Sequence, residues 1–331
     1  MIKVLQIRET PESKSDGLEA NVQGLISLLG HDSCVEMIPT VNYTRHTIPL
    51  IYQYYLDKKE IIDSINKYNP DIVHIHGAYS FTLPVAINCA EACNKTIVLS
   101  LHFHPFWSLR RPLMGKLFFY LITKNILKKA DCVFTINNED TSIISQYTTN
   151  VVKIPHWSKF DNRKKNEIEK KANMILFVGR IDETNKGFEH LLHLPEGLYD
   201  IHCVGKGTIP SRKDFHQHIN ITDDALHRLY REASLLVVPS RYEAFSYVAL
   251  EALLCNTPVV MSDRVRIADH LNGVCGYSVF KYQDYENFVS TVKKTICMQV
   301  EVQKVYNLFS PEVIKEKYIS EYKKLIHLTK V

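Results

Sequence analysis

At 331 residues, with 45% hydrophobic and 23% charged content, the chain has room for two soluble domains of ordinary size. A formal net charge of +4 is too mild to argue for nucleic acid, and no motif of that class occurs. Eight cysteines show neither a C-x-x-C pair nor metal-ligand spacing, no signal peptide precedes the first strand, and no apolar run is long enough to span a bilayer. A cytoplasmic protein with free thiols is therefore expected.

IKVLQIR (Ile2–Arg8) reads as an opening strand, followed by a polar loop (10–17) and then LEANVQGLISLLGH (18–31), with apolar residues at helical spacing. SCVEMIP (33–39), DIVHIHG (71–77) and KTIVLSLHF (95–103) read as the next strands. His74 and His76, like His102 and His104, are two apart and share a strand face, so a metal site is conceivable. No carboxylate or third histidine follows at ligand spacing, and half-buried histidines bonded to backbone are the competing reading. Residues 105–130 interleave Arg110, Arg111, Lys116, Lys124, Lys128 and Lys129 with Phe106, Trp107, Phe118, Phe119 and Tyr120. Such a segment suits either an anionic membrane surface or a core-facing helix with a solvated basic face. DCVFTIN (131–137) and VVKIP (151–155) add two strands, and the charged run 162–173 reads as a solvated linker.

NMILFVGRIDETNKGFEHLL (173–192) gives a buried strand ending at Gly179, a polar loop and a helix. Arg180 and Lys186 are cations near a helix start, where fixed charge can stabilise an anionic leaving group without a metal, and two surface cations are the competing reading. YDIHCVGKG (199–207) adds a strand with a glycine turn at Gly205, and HINIT (218–222) reads as another strand. LLVVPS (235–240) and TPVVMSD (257–263) are apolar, Val-rich strands that flank the helical SYVALEALL (246–254), and Asn256 suits a left-handed helix stop. The first turn of that helix, at 245–248, can receive a phosphate on its amides. Glu243 on the loop and Glu251 on the helix are poor phosphate ligands but suit the hydroxyls of a sugar and a ribose. An ordinary βαβ unit with solvated glutamates is the competing reading. The tail beyond 285 is helical in pattern, with Ser310 as a cap and Pro311 in the first turn.

Glu243 and Glu251, separated by seven residues and flanked by PS, LEA and PVV, resemble the E-x7-E signature of retaining family-4 glycosyltransferases of the GT-B fold. The segment from Gly179 to Gly187 is similar to that family's G-R-x(n)-K-G run, and Gly17, Glu19, Gly30 and His31 fit its opening loop and helix. The resemblance implies an α/β chain of two Rossmann-like domains facing each other across a cleft. These would be an acceptor domain (1–160), a nucleotide-sugar domain (161–310) and a last helix (311–331) packing back on the first domain. It implies donor contacts from Gly17, Gly179, Arg180, Lys186, Gly205, Ala244, Phe245, Ser246 and Glu251, with Glu243 facing the sugar. His102 would approach the transferred sugar, with His104 in reserve. It also implies a retaining transfer from a nucleoside diphosphate sugar, UDP-linked by preference, to a glycan or lipid-linked acceptor in surface polysaccharide assembly, with no cofactor and no metal.

The chain departs from the pattern at several positions. Asp16 replaces a glycine, so it faces an acceptor hydroxyl or simply makes an Asp-Gly turn. His156-Trp157 stands where Asn-Gly is usual, Ser234 where Asp is usual, and Ala244 and Ser246 replace glycines. Two rivals follow: a sugar phosphorylase or sugar-phosphate synthase of the same fold, and a non-catalytic membrane-associated binding module.

Overall fold

The computed structural model describes residues 1–8, 17–30, 34–38, 47–48, 51–52, 57–78, 82–102, 105–109, 112–158 and 168–329. They divide into two compact units, Met1–His156 with Pro311–Val331, and Trp157–Ser310.

In the first unit the strands are β1 (Ile2–Arg8), β2 (Val35–Ile38), the short pair β3 (Thr47–Ile48) and β4 (Ile51–Tyr52), β5 (Ile72–His76), β6 (Thr96–Ser100), β7 (Cys132–Thr135) and β8 (Val151–Lys153). Its helices are α1 (Gly17–Leu29), α2 (Lys58–Tyr68), α3 (Thr82–Ala92), α4 (Pro112–Phe118), which runs through a π-helical turn (Phe119–Thr123) into α5 (Lys124–Leu127), and α6 (Asn138–Ile144). A parallel six-stranded sheet has the order β2-β1-β5-β6-β7-β8. Its strands are apolar on both faces because helices cover both, as in β6, where every residue is buried.

The second unit repeats the plan with β9 (Met174–Val178), β10 (Asp200–Val204), β11 (Phe215–His218), α7 (Asp223–Glu232), β12 (Leu235–Val238), α8 (Tyr247–Leu254), β13 (Val259–Ser262), β14 (Tyr277–Phe280), α9 (Tyr285–Thr295) and α10 (Val302–Phe309). Its parallel sheet runs β11-β10-β9-β12-β13-β14. The order reverses between β9 and β12, and in the first sheet between β1 and β5. Crevices at the carboxyl ends of such strand pairs are where open α/β sheets take ligands.

The last helix, α11 (Pro311–Thr329), belongs to the first unit and packs against α1 and β6. Tyr322 on α11 is fully buried, and its hydroxyl lies 2.7 Å from His74 Nδ1 on β5.

Two expected elements differ. The strand expected at 218–222 lies at Phe215–His218, because Asn220 takes a left-handed φ of 55° and Thr222 caps α7 through the Ala225 amide. The helix expected after Gly187 is a run of 3-10 turns, Phe188–His193. Leu194 must be extended ahead of Pro195, which leaves too few residues to nucleate an α-helix. Asn256 does end α8 in the left-handed conformation, with φ 57°.

Candidate functional site

The densest convergence of expected site residues in the second unit lies at the β9/β12 reversal. Gly205 has φ 148°, and a Cβ there would stand 2.0 Å from the Gly179 carbonyl oxygen. The loops ending β9 and β10 therefore touch backbone to backbone, which only glycine permits. Gly187 has φ 67°, and a Cβ would stand 2.0 Å from the Pro239 carbonyl oxygen, so the turn Thr184–Lys186 seats directly on the end of β12. The seat is fastened by the Arg241 amide donating to the Asn185 carbonyl (2.8 Å) and by Asn185 Nδ2 donating to the Tyr242 carbonyl (3.1 Å).

That fastening brings Lys186 Nζ to 2.9 Å from Glu243 Oε1, and the Ser240 hydroxyl donates to the same oxygen at 2.8 Å. Glu243 is itself held by its backbone: its amide donates to the Arg264 carbonyl, and its carbonyl accepts from the Arg266 amide. The pair is largely shielded, with the Glu243 side chain 12% exposed and that of Lys186 29% exposed. Charges so placed interact more strongly than a surface pair. Arg180 stands differently. Its side chain is 71% exposed and reaches Glu183 at 2.8 Å within its own loop.

Beyond Glu243 the chain enters α8 through Ser246, an N-cap whose buried hydroxyl accepts from the Ala249 amide at 3.4 Å. This inward turn lets serine stand where the family pattern has glycine, because the side chain points into the helix start. Ala244 precedes Phe245, whose ring packs against Tyr247 (5.6 Å), Phe309 (5.8 Å) and His270 (6.4 Å). Phe245 thus anchors the loop through its side chain.

Glu251 sits further along α8 and receives a hydrogen bond from the Tyr230 hydroxyl at 3.0 Å. Burial pushes its carboxyl up to about 7, with Asp223 adding to the rise and the tyrosine bond opposing it. The Tyr230 phenol is pushed well above its ordinary value by burial and by both Glu251 and Glu243, so it feels the two carboxylates at once.

In the first unit, Gly17 opens α1, while Asp16 and His104 lie outside the described residues. His102 is half-buried two residues past β6, with its ring 5.8 Å from His76 and stacked on His156 at 6.3 Å. Arg8 and His76 are buried register partners at the carboxyl ends of β1 and β5. Burial drives His76 well below the usual histidine range, and His74 falls to about 3, so both rings are neutral at pH 7. His74 contacts Tyr322 and the Ser100 hydroxyl through its two ring nitrogens, and His76 Nε2 contacts Gln6 Oε1 at 2.6 Å. They are hydrogen-bonded core histidines rather than a metal pair. Among the described residues, the group with metal-ligand spacing is instead Asp200, His202 and His216.

Sequence reasoning missed Tyr230, Asn185 and Arg8 as site neighbours, and noted His156 only as a departure from the family pattern. Ser240 had a signal in the PS flank, whereas Tyr230 reaches Glu251 only through the packing of α7 on α8.

Comparison with known proteins agrees with this fold. The family model described as Glycosyltransferase Family 4 matches residues 19–156, and the one described as Glycosyl transferases group 1 matches residues 172–297. A Klebsiella pneumoniae protein described as an uncharacterized 41.2 kDa protein in cps region is 25% identical over 241 residues, 63% of this chain and 66% of that protein. The chain spans two thirds or less of the curated relatives it matches. Among solved structures, the sucrose-phosphate synthase of Thermosynechococcus elongatus superposes with TM-score 0.72 at 18% identity, covering 99% of this chain and 100% of that one. Anabaena HepE, solved with UDP and glucose, superposes with TM-score 0.67 at 14% identity, covering 98% and 100%.

Proposed function

The chain belongs to the family-4 glycosyltransferases of the GT-B fold, and from that premise we propose that it moves a hexosyl group from a UDP-sugar to a glycan or lipid-linked acceptor with retention of anomeric configuration. The observation that carries this reading is the Lys186–Glu243 pair at the β9/β12 reversal. Each is the other's counter-charge, and a donor suits both: its diphosphate takes Lys186, and its sugar hydroxyls take Glu243.

As the glycosidic bond breaks, the diphosphate gains charge. Lys186 and the exposed Arg180, swung from Glu183, offset that charge with charge-assisted hydrogen bonds, and no metal is needed. The amides of Phe245 and Ser246 at the start of α8 face the phosphates, and Ala244 precedes them. Gly179 and Gly205 let the backbone approach the nucleotide, and Glu251 accepts from the ribose. In the first unit Gly17 borders the donor, His102 approaches the transferred sugar, and Asp16 and His104 serve the acceptor. Front-face attack through an oxocarbenium-like transition state requires no protein nucleophile, unlike a retaining hydrolase.

UDP is favoured because HepE, which shares the fold, is solved with UDP and glucose. Work on surface polysaccharide is favoured by the relative described as lying in a cps region. An anionic membrane surface is favoured by the apolar stripe of α4 and its π turn, with Leu113 84%, Leu117 60% and Leu121 63% exposed.

Thermal stabilisation tests the donor assignment, since a ligand that binds only the folded state raises Tm. UDP is expected to raise Tm above GDP, ADP and orthophosphate, and Arg180→Ala is expected to reduce the shift. A response to orthophosphate alone would favour a phosphorylase, and no response to any of the four would overturn the donor site.

A further inference from the structure

We propose that Asp200, His202 and His216 form a binding site for one zinc-class divalent ion on the outer strand pair of the second sheet, with His218 as its supporting hydrogen-bond partner. Three side chains from two parallel strands converge there, and register explains why. Ile201, Cys203 and Phe215 turn into the core, so Asp200 and His202 on β10 and His216 and His218 on β11 all project from the opposite face. His202 pairs with His216 across the strands, and Asp200 stands two residues before His202 on the same face.

The donor atoms already lie close together, all within 4.8 Å of one another. His202 Nε2 is 3.4 Å and His216 Nε2 is 2.5 Å from the two oxygens of Asp200. Zinc bonds of about 2.0–2.1 Å at tetrahedral angles set neighbouring donor atoms roughly 3.4 Å apart. His202 and Asp200 meet that spacing. His216 must withdraw by about 1 Å, which its 44% exposed side chain allows.

Two imidazoles and one carboxylate suit zinc and its first-row neighbours, and leave a fourth position for water. Beyond the ligands, His202 Nδ1 lies 2.9 Å from His218 Nε2. With Nε2 on the metal, Nδ1–H donates to His218, the outer contact that fixes tautomer and ring orientation in metal-bound histidines.

The ion's consequence is local. Strand β11 is the edge of its sheet, and a metal shared between β10 and β11 clips it in place. The clip also braces the turn between them, where the Gly205 amide donates to the His218 carbonyl at 3.0 Å and Gln217 Nε2 donates to the Gly205 and Gly207 carbonyls.

The test uses the untagged full chain, stripped with EDTA and titrated calorimetrically with ZnCl2, with the absorption of the Co2+ form and Tm as further readouts. One equivalent is expected to bind, to raise Tm by several degrees, and to give the visible bands of four- or five-coordinate cobalt. His216→Ala and Asp200→Asn, both at half-exposed side chains, are expected to weaken binding at least about tenfold, and His218→Ala to weaken it less. Cys275 and Cys297 are exposed thiols, a residue type that can compete for zinc, so the Cys275→Ser/Cys297→Ser double variant must keep the site. The proposal is overturned if the wild type takes up no zinc, if His216→Ala and Asp200→Asn bind as the wild type does, or if the double cysteine variant loses the ion.

Discussion

Lys186 and Ser240 both donate to Glu243 Oε1, so a substitution at either acid or base disturbs a three-membered group. Glu243→Gln keeps the shape and an acceptor for Ser240 but removes the charge. We expect kcat to fall by about 10²-fold or more while the Tm shift with UDP persists; Lys186→Ala should lose comparable rate and the UDP shift as well. Steady-state kinetics with a matched UDP titration separates the two, and equal loss of UDP binding in both would contradict the division of roles. Glu251 supplies a pH test. Its carboxyl is raised from 4.5 to about 7, chiefly by burial, so the proton is held more tightly in the folded state. The stability this contributes, about 3 kcal/mol, is fully present below pH 4.5 and is lost as pH rises through about 7. Conversely, ribose hydroxyls donate best to the ionised form, so UDP affinity should rise between pH 6 and 8. Chemical denaturation from pH 4 to 8 and UDP titration from pH 6 to 8 check the two slopes, and Glu251→Gln should flatten both. The two glutamates, Arg180 and Lys186 were picked out by their resemblance to the family's motifs, and of these the structure brings Lys186 and Glu243 into contact. The raised carboxyl of Glu251 was not legible, because it depends on burial and on Tyr230 from another helix.

Elements were legible where apolar runs marked them, as at β9, β12 and β13, whose residues are almost all buried. The edge strand β11 was misread because its sequence, FHQH, is polar on one face and the apolar pair Ile219 and Ile221 drew the expected strand onward. The same shift hid the facing of His216 and His202, which no linear spacing reveals. The basic aromatic segment 105–130 was read with two possible partners, and the described part shows two faces. Phe119, Ile126 and Leu127 are buried, while Leu113, Leu117 and Leu121, four residues apart, form an exposed stripe alongside Met114 and Tyr120. An apolar stripe with Lys116, Lys124 and Lys128 on the same segment is the pattern of an interfacial helix. Leu117→Asp/Leu121→Asp should therefore leave Tm near that of the wild type and reduce co-sedimentation with vesicles rich in anionic lipid several-fold. Wild-type binding should also weaken with salt. Failure of the wild type to sediment with such vesicles would remove the membrane from the list of partners.

At the scale of the whole molecule, the first unit is discontinuous in sequence and the second is continuous. Helix α11 completes the first unit's core: Tyr318 and Tyr322 are buried, with Phe134 at 5.5 and 6.2 Å from their rings, and the Tyr322 hydroxyl meets buried His74. His74 in turn reaches the Ser100 hydroxyl at 2.7 Å, so one hydrogen-bonded chain links α11 to β5 and β6, two residues before His102. Removing a partner from a buried polar group costs about 1–3 kcal/mol. Tyr322→Phe should destabilise the first unit by that order, and deletion of 311–331 should expose the part of its sheet around β5, β6 and β7 that the helix covers. Neither change should reach the core of the second unit, whose buried residues lie within 157–310. Hydrogen exchange followed by mass spectrometry resolves this: β5 and β6 should lose protection in both variants while β9 and β12 keep theirs. The isolated fragment 157–310 should unfold cooperatively and retain the UDP-dependent Tm shift. Equal loss of protection in both sheets would show instead that the two units fold as one, and that the returning helix stabilises the second unit as much as its own.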